Sequence, residues 1–169
     1  MRNVVLLFFC ILLVACGKER HWPAEITSCE NCTQEETDLV FSSVEELNSK
    51  SGSNLVALKK DSAETKFAIK LFFVDSVALQ ESSESKNTRA GLATVYPDRC
   101  EVQLSRDLHK AENSHYFKAV LWHEMGHCAG LDHDKNEEDL MFSVTKKFQA
   151  YTDETLIRFF NKFKQSAGL

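Results

Sequence analysis

Apolar side chains recur at helical spacing in the first third of the chain, at Leu39, Val40, Val44 and Leu47. Residues three or four apart share one face of an α-helix, so this pattern predicts an amphipathic helix over residues 35–50. Either Thr33 or Thr37 can cap it, because a threonine hydroxyl accepts a hydrogen bond from an amide of the first turn. The helix ends at residues 51–53, Ser-Gly-Ser.

Four short runs rich in β-branched and aromatic side chains predict strands. These runs are residues 54–60, 67–74, 91–96 and 101–104. The segment LFFV at residues 71–74 is apolar throughout, which is typical of an interior strand. Polar turns at 61–64 and 97–99 and a polar loop at 80–89 separate the runs.

Two more helices follow these strands. A helical pattern covers residues 114–129 and stops at Gly130, and an irregular stretch then continues to Tyr151. Thr152 caps a last helix with Asp153 and Glu154 in its first turn, where acidic side chains favour the positive end of the helix dipole. Its core face consists of Leu156, Phe159, Phe160 and Phe163.

The first fifteen residues have the pattern of a signal peptide, with one arginine, no acid and an apolar run over 4–15. The run is shorter than the roughly 20 residues of a lasting membrane span. Residues 13–17, LVACG, resemble the lipobox of bacterial lipoproteins, which implies a lipid on Cys16 and export to a bacterial membrane. Gly17, rather than an aspartate, favours the outer membrane by the same resemblance. An ordinary secretory signal with an incidental cysteine is the alternative.

The rest of the chain predicts one domain. We expect residues 16–34 to be a lipidated N-terminus and tether, in which Ile26 can belong to a short strand, and residues 35–169 to be a single domain that acts as a monomer. The 169 residues include 25 acidic and 20 basic side chains, mixed along the sequence. This acidic balance argues against nucleic acid as a partner.

Four cysteines besides Cys16 remain after the signal peptide: Cys29, Cys32, Cys100 and Cys128. An even number in an exported chain makes disulfides plausible, and four cysteines allow three connectivities. We prefer Cys29–Cys32 with Cys100–Cys128. A CxxC pair can also bind zinc or perform redox chemistry, but zinc would need a second ligand pair, and no such pair stands out.

Residues 123–127, HEMGH, form an HExxH element inside the second helix. The i, i+4 spacing places His123 and His127 about 40° apart on one helix face, so both imidazoles can bind one zinc ion. Glu124 is then near enough to act as general base on water at the metal. Alone this element is weak evidence for a zinc site, because chance also produces it, in under about 1% of chains of this length.

Gly130 and His133 strengthen this interpretation. A glycine can take the left-handed conformation that turns the chain back towards the metal, so His133 can supply a third nitrogen. Three protein ligands leave the fourth coordination position open, which is the arrangement of a catalytic zinc; structural zinc sites have four protein ligands.

The spacing HExxHxxGxxH resembles the metzincin zinc metalloproteases, which also have a methionine turn beneath the metal, here Met141. Residues 91–97, GLATVYP, look like the matrixin edge strand that pairs with substrate, and 151–154, YTDE, like the entry to the matrixin C-terminal helix. This resemblance implies an α+β fold: a twisted, mostly parallel sheet of four to five strands with an antiparallel edge strand, an active-site helix and a C-terminal helix. It also implies peptide binding along Leu92, Ala93 and Thr94.

The sequence therefore predicts a zinc-dependent endopeptidase with one catalytic Zn²⁺, acting on extracytoplasmic proteins or peptides. The specificity loop at residues 142–150 departs from matrixins, with Phe142 and Ser143 where they have tyrosine and proline. Two alternatives stay open: a non-catalytic, zinc-containing surface binding module, and a metallo-hydrolase that acts on a non-protein amide.

Overall fold

The computed structural model describes residues 22–58, 67–74, 90–109, 114–143 and 151–169. The predicted signal peptide, Cys16, the turn at 61–64, the loop at 80–89 and the specificity loop beyond Ser143 lie outside these residues.

Three α-helices, one short 3-10 helix (Arg106–His109) and five strands make up the described structure. The helices are α1 (Gln34–Ser51), α2 (Ser114–Ala129) and α3 (Asp153–Ala167). The strands are β1 (Ala24–Glu30), β2 (Val56–Leu58), β3 (Ala68–Val74), β4 (Gly91–Val95) and β5 (Arg99–Ser105). None of the described helices is long and apolar enough to cross a membrane.

The five strands form one sheet in the order β2-β1-β3-β5-β4. β1, β2, β3 and β5 run parallel to one another, whereas β4 runs antiparallel to β5 at one edge. A tight turn joins β4 to β5, with the Tyr96 amide donating to the Arg99 carbonyl over 2.8 Å. This architecture confirms the predicted α+β fold with a mostly parallel sheet and an antiparallel edge strand.

The folded domain begins earlier than the sequence predicted. Residues 16–34 were expected to be a tether, yet β1 lies inside the sheet, between β2 and β3. The prediction was wrong because β1 buries only Ala24 and Ile26, and its pairing with β3 shifts register between Ile26 and Ser28. The apolar alternation that marks a strand is therefore too short to be recognised.

The first turn of α1 is capped as a capping box. Thr33 is the N-cap: its hydroxyl accepts from the Glu36 amide over 3.2 Å, and the Glu36 carboxylate accepts from the Thr33 amide over 2.7 Å. Arg106 donates to the other oxygen of Glu36 over 2.6 Å and to the Asn31 carbonyl over 2.6 Å. The start of α1 is thus joined to the end of β5.

One face of the sheet is buried against α2. Alternate residues of the two central strands face it, namely Ile69, Leu71, Phe73, Cys100, Val102 and Leu104. Phe73 stacks on Phe117 of α2, and Cys100 is disulfide-bonded to Cys128 of the same helix. A second disulfide joins Cys29 to Cys32, so both pairings are those preferred from the sequence.

Helices α1 and α3 pack around α2. The Trp122 indole of α2 donates to the Ser43 carbonyl of α1 over 3.1 Å. From α3, Phe160 packs against Trp122, and Phe163 meets Trp22 edge to face. The aromatic face predicted for the last helix is therefore core, and it packs against α2 at Trp122 and Gly126.

Candidate metal centre

The three predicted histidine ligands meet at one point. The Nε2 atom of His127 lies 3.0 Å from Nε2 of His123 and 3.2 Å from Nε2 of His133. Helix α2 places the first two one turn apart, and His133 comes from the chain that follows the helix. Among the described residues, these three form the one group of histidines, cysteines and acids that could hold a metal ion.

Two backbone carbonyls fix the orientation of the helical imidazoles. His123 Nδ1 donates to the Leu140 carbonyl over 2.7 Å, and His127 Nδ1 donates to the Leu131 carbonyl over 2.7 Å. A carbonyl oxygen can only accept, so the proton of each ring lies on Nδ1 and the lone pair lies on Nε2. The atoms that converge are therefore the ones able to bind a cation.

Burial reinforces this protonation state at His123, which is 5% exposed. Desolvation, together with smaller contributions from the neighbouring His127 and His133, lowers its pKa from 6.5 to about 4, although the hydrogen bond to Leu140 and the charge of Asp139 act in the opposite direction. His123 is consequently neutral at neutral pH, as a metal ligand must be.

A turn at the end of α2 carries the chain back to His133. Gly130 has a φ of 95°, which is unfavourable for residues with a Cβ. Its amide donates to the His127 carbonyl, and the Leu131 amide donates to the Gly126 carbonyl, both over 2.9 Å. This is the Schellman pattern of a helix C-terminus. The glycine predicted to turn the chain does so.

The donor set fits zinc. Neutral imidazole nitrogens are common zinc ligands, and bonds of about 2.0–2.1 Å to a tetrahedral ion put two ligand nitrogens about 3.3 Å apart. The separations of 3.0 and 3.2 Å are close to this value. The group contains three histidines and, among the described residues, no fourth histidine, cysteine or acid. A zinc ion held by these three would therefore have a coordination position open to water or a substrate carbonyl.

Glu124 directly follows the ligand His123 in α2, and its side chain lies against the start of the edge strand. Its side chain is 6% exposed, and a Cβ on Gly91 would come within 2.7 Å of its Oε1 atom. The absence of a side chain at Gly91 therefore lets β4 pass directly against the carboxylate. This role of Gly91 has no signal of its own in the sequence, because a glycine at the start of a strand is common and does not by itself indicate a close contact.

Met141, the residue predicted to form a methionine turn, lies against Gly126 of α2. It is buried, and a Cβ on Gly126 would come within 2.5 Å of its sulfur and 3.1 Å of Cε2 of Phe159. Gly126 lies between His123 and His127 in sequence. Because it has no side chain, Met141 and α3 can approach α2 closely at this position.

The loop from His133 to Met141 is closed by its own backbone and by α3. The Asp134 amide donates to the Met141 carbonyl over 2.8 Å. Lys162 of α3 donates to Asp134 Oδ2 over 2.7 Å and to Asp139 Oδ2 over 2.9 Å. Sequence reasoning missed Lys162 because a lysine on a polar helix face is ordinarily a solvated residue.

The predicted substrate strand forms the end of the sheet. β4 contains Leu92 and Ala93, both half-buried, and the exposed Thr94. Its inner edge pairs with β5, and no described strand pairs with its outer edge. An extended peptide could therefore add to this edge.

Comparison with known proteins agrees with this geometry. A family model described as matrixin matches residues 27–156. The matched stretch runs from within β1 into α3 and includes the three histidines, Glu124 and Met141. No curated protein matches the chain.

Proposed function

Because the chain belongs to the matrixin family of metalloproteases, we propose that it is a zinc-dependent endopeptidase that cleaves proteins or peptides outside the cytoplasm. The observation that carries the proposal is the convergence of the three Nε2 atoms beside a buried Glu124. A site that only stores zinc needs the histidines but has no use for this carboxylate.

His123, His127 and His133 would hold the ion. Bound zinc supplies a Lewis acid that polarises a carbonyl and lowers the pKa of water. The Glu124 carboxylate accepts the proton from the attacking water and later gives it to the leaving amine, which makes it both general base and general acid.

Edge strand β4 supports a peptide as the substrate. A peptide that pairs with it in extended form would make main-chain hydrogen bonds independent of side-chain identity. Since Gly91 at the start of β4 lies against Glu124, the paired peptide would run past the general base. This proximity favours peptide bonds over other amides.

Replacing Glu124 by glutamine tests the proposal. Glu124→Gln keeps the shape of the side chain but cannot accept a proton, so we expect zinc binding to persist and casein cleavage to fall by at least about 100-fold. Glu154→Gln is the matched control, because Glu154 is an exposed acid on α3. Its activity should equal that of the unmodified protein.

Zinc content by elemental analysis and cleavage of an unbiased peptide library are measured together. Undiminished cleavage by Glu124→Gln would contradict the assigned general base. Stoichiometric zinc without cleavage in the unmodified protein would instead support the non-catalytic binding module.

We further propose that a lipid on Cys16 anchors the enzyme to a bacterial membrane, with the outer membrane favoured and the domain facing the periplasm or exterior. The apolar run at 4–15 and the LVACG segment support this location. Cys16→Ser should move the protein from the membrane fraction to the soluble fraction of a diderm host. An unmodified protein found in the soluble fraction would contradict the anchor.

A further inference from the structure

Lys162 binds two carboxylates at opposite ends of the loop that joins the third histidine to the methionine. One end is Asp134, which directly follows the ligand His133 and accepts from Lys162 over 2.7 Å. The other is Asp139, which accepts over 2.9 Å. The lysine belongs to α3, so it connects this loop to the body of the domain.

Asp134 fixes the chain immediately after the third ligand. Its amide donates to the Met141 carbonyl over 2.8 Å, and it forms an isolated β-bridge with Phe142. Its Oδ1 atom accepts from the Asn136 amide over 2.8 Å, which leaves Oδ2 for Lys162. Movement of Asp134 would therefore move the backbone of His133.

Asp139 fixes the chain next to the carbonyl that orients the first ligand. It is 3% exposed, and its Oδ1 atom accepts from the Met141 amide over 2.9 Å. Between these two residues lies Leu140, whose carbonyl accepts from His123 Nδ1. The orientation of His123 thus depends on a segment held by Asp139.

The ammonium group of Lys162 is what lets these two carboxylates lie together. Two anions that share one neighbour repel each other, and a buried carboxylate without a counter-charge is strongly disfavoured. Lys162 is partly exposed, but Asp139 is enclosed, so solvent screens their ion pair less than it screens a surface pair.

We propose that Lys162 is a positioning residue of the metal centre: it holds His133 through Asp134 and the Leu140 carbonyl through Asp139, and thereby sets the affinity for zinc. This inference rests on the proposed function only in so far as the three histidines bind zinc. Residues that orient metal ligands typically change metal affinity by about 10–100-fold when they are replaced.

Lys162→Met tests this role, because methionine keeps a long apolar side chain and removes the charge. The zinc dissociation constant of the purified full-length chain, kept in detergent, is measured by competition with a chromogenic chelator. The visible spectrum of the cobalt-substituted protein reports the ligand geometry. We expect zinc affinity to fall by about 10–100-fold and the cobalt bands to shift.

Lys164→Met is the matched control. Lys164 lies on the same helix and donates to the Ser51 carbonyl, away from the metal loop. This variant should lose stability without any change in zinc affinity or cobalt spectrum. Lys162→Arg, which keeps the charge, should recover most of the affinity.

Asp134→Asn provides a milder second variant should Lys162→Met not fold, since it removes one ion pair and retains an oxygen for the Asn136 amide. We expect it to weaken zinc binding by several-fold. Unchanged affinity and an unchanged spectrum in a folded Lys162→Met or Asp134→Asn protein would overturn the proposal. Zinc binding without peptide cleavage would contradict the proposed function, and the affinity ratios would still decide the role of Lys162.

Discussion

Gly126 illustrates how single residues shape the metal centre. Gly126 has no side chain, and Met141 and Phe159 fill the space that a side chain would take. The carbonyls of Leu131 and Leu140 also shape the metal centre. Each accepts a hydrogen bond from Nδ1 of a histidine, His127 or His123, and so leaves Nε2 as the nitrogen that can bind a metal. Backbone atoms as well as side chains therefore position α2 and its histidines.

Gly126→Ala should destabilise the protein. Alanine favours a helix by about 1 kcal/mol over glycine, but a Cβ 2.5 Å from the Met141 sulfur overpacks the core at a cost of about 1–3 kcal/mol. Urea unfolding of the zinc-free protein measures the difference. His115→Ala on the exposed side of α2 is the control and should change stability by less than about 0.5 kcal/mol. Stabilisation by Gly126→Ala would contradict the close approach of Met141.

The sequence predicts the ligands but not what orients them. HExxHxxGxxH identifies His123, His127, His133 and Gly130 because helix periodicity and glycine conformation are local properties. The carbonyl partners carry no side-chain signature, since any residue at positions 131 and 140 presents a carbonyl. Lys162 lies 28 residues beyond Asp134 and acts only through the tertiary fold.

At the scale of elements, the junction of β1, α1 and β5 depends on Glu36. Burial raises the pKa of this carboxyl, but hydrogen bonds from the Thr33 amide and from Arg106 outweigh burial and lower the pKa below its usual 4.5. The charged form is therefore favoured in the folded state. Above pH 4.5 it stabilises the fold, and the contribution is lost as pH falls through the lowered pKa, because the unfolded state binds the proton first.

Glu36→Gln should accordingly lower the free energy of unfolding at pH 7 by about 1.5 kcal/mol. This value is the lower end of the range for hydrogen bonds to charged groups, and it applies here because Arg106 is partly exposed. The difference from the unmodified protein should shrink at pH 3. Urea unfolding of metal-free protein at both pH values checks this, with the exposed Glu35→Gln as control. A difference that stays constant between pH 7 and pH 3 would contradict the role of the carboxylate.

Strand β1 shows why the length and place of one element could not be predicted beyond a short strand at Ile26. Helices α1, α2 and α3 have long apolar stripes and recognisable caps, and their predicted bounds lie close to the observed ones. β1 has two buried apolar residues followed by a register shift, so the neighbouring strands, rather than its own sequence pattern, determine its place.

For the whole molecule, Cys100–Cys128 ties the metal helix to the sheet. The two cysteines are 28 residues apart in sequence, so the bond restricts the unfolded chain far more than Cys29–Cys32, whose separation is three. Replacing both Cys100 and Cys128 by alanine should lower the free energy of unfolding by about 3–4 kcal/mol. The same change at Cys29 and Cys32 should lower it by about 2 kcal/mol. Urea unfolding compares the variants. An equal or larger loss for the short pair would contradict this ranking.

Zinc removal should lower thermal stability. A ligand that binds only the folded state, at a free concentration about 1,000 times its dissociation constant, raises the free energy of unfolding by about 4 kcal/mol. For a domain of this size, this corresponds to an increase of roughly 10 °C in melting temperature. Scanning calorimetry with and without a chelator measures the shift. His127→Ala should show no such shift, whereas His115→Ala should retain it. A zinc-dependent shift in His127→Ala would show that zinc stabilises the protein elsewhere.

With the proposed lipid on Cys16, the place of β1 in the sheet would limit how far the domain can reach from the membrane. Trp22 is buried and therefore belongs to the folded body. From a lipidated Cys16 to Trp22 the chain can extend at most about 20 Å, which is less than the width of a domain of this size. The enzyme would be confined to a thin layer over the bilayer. Proteins anchored in the same membrane would then meet it at a far higher effective concentration than proteins that diffuse in the bulk.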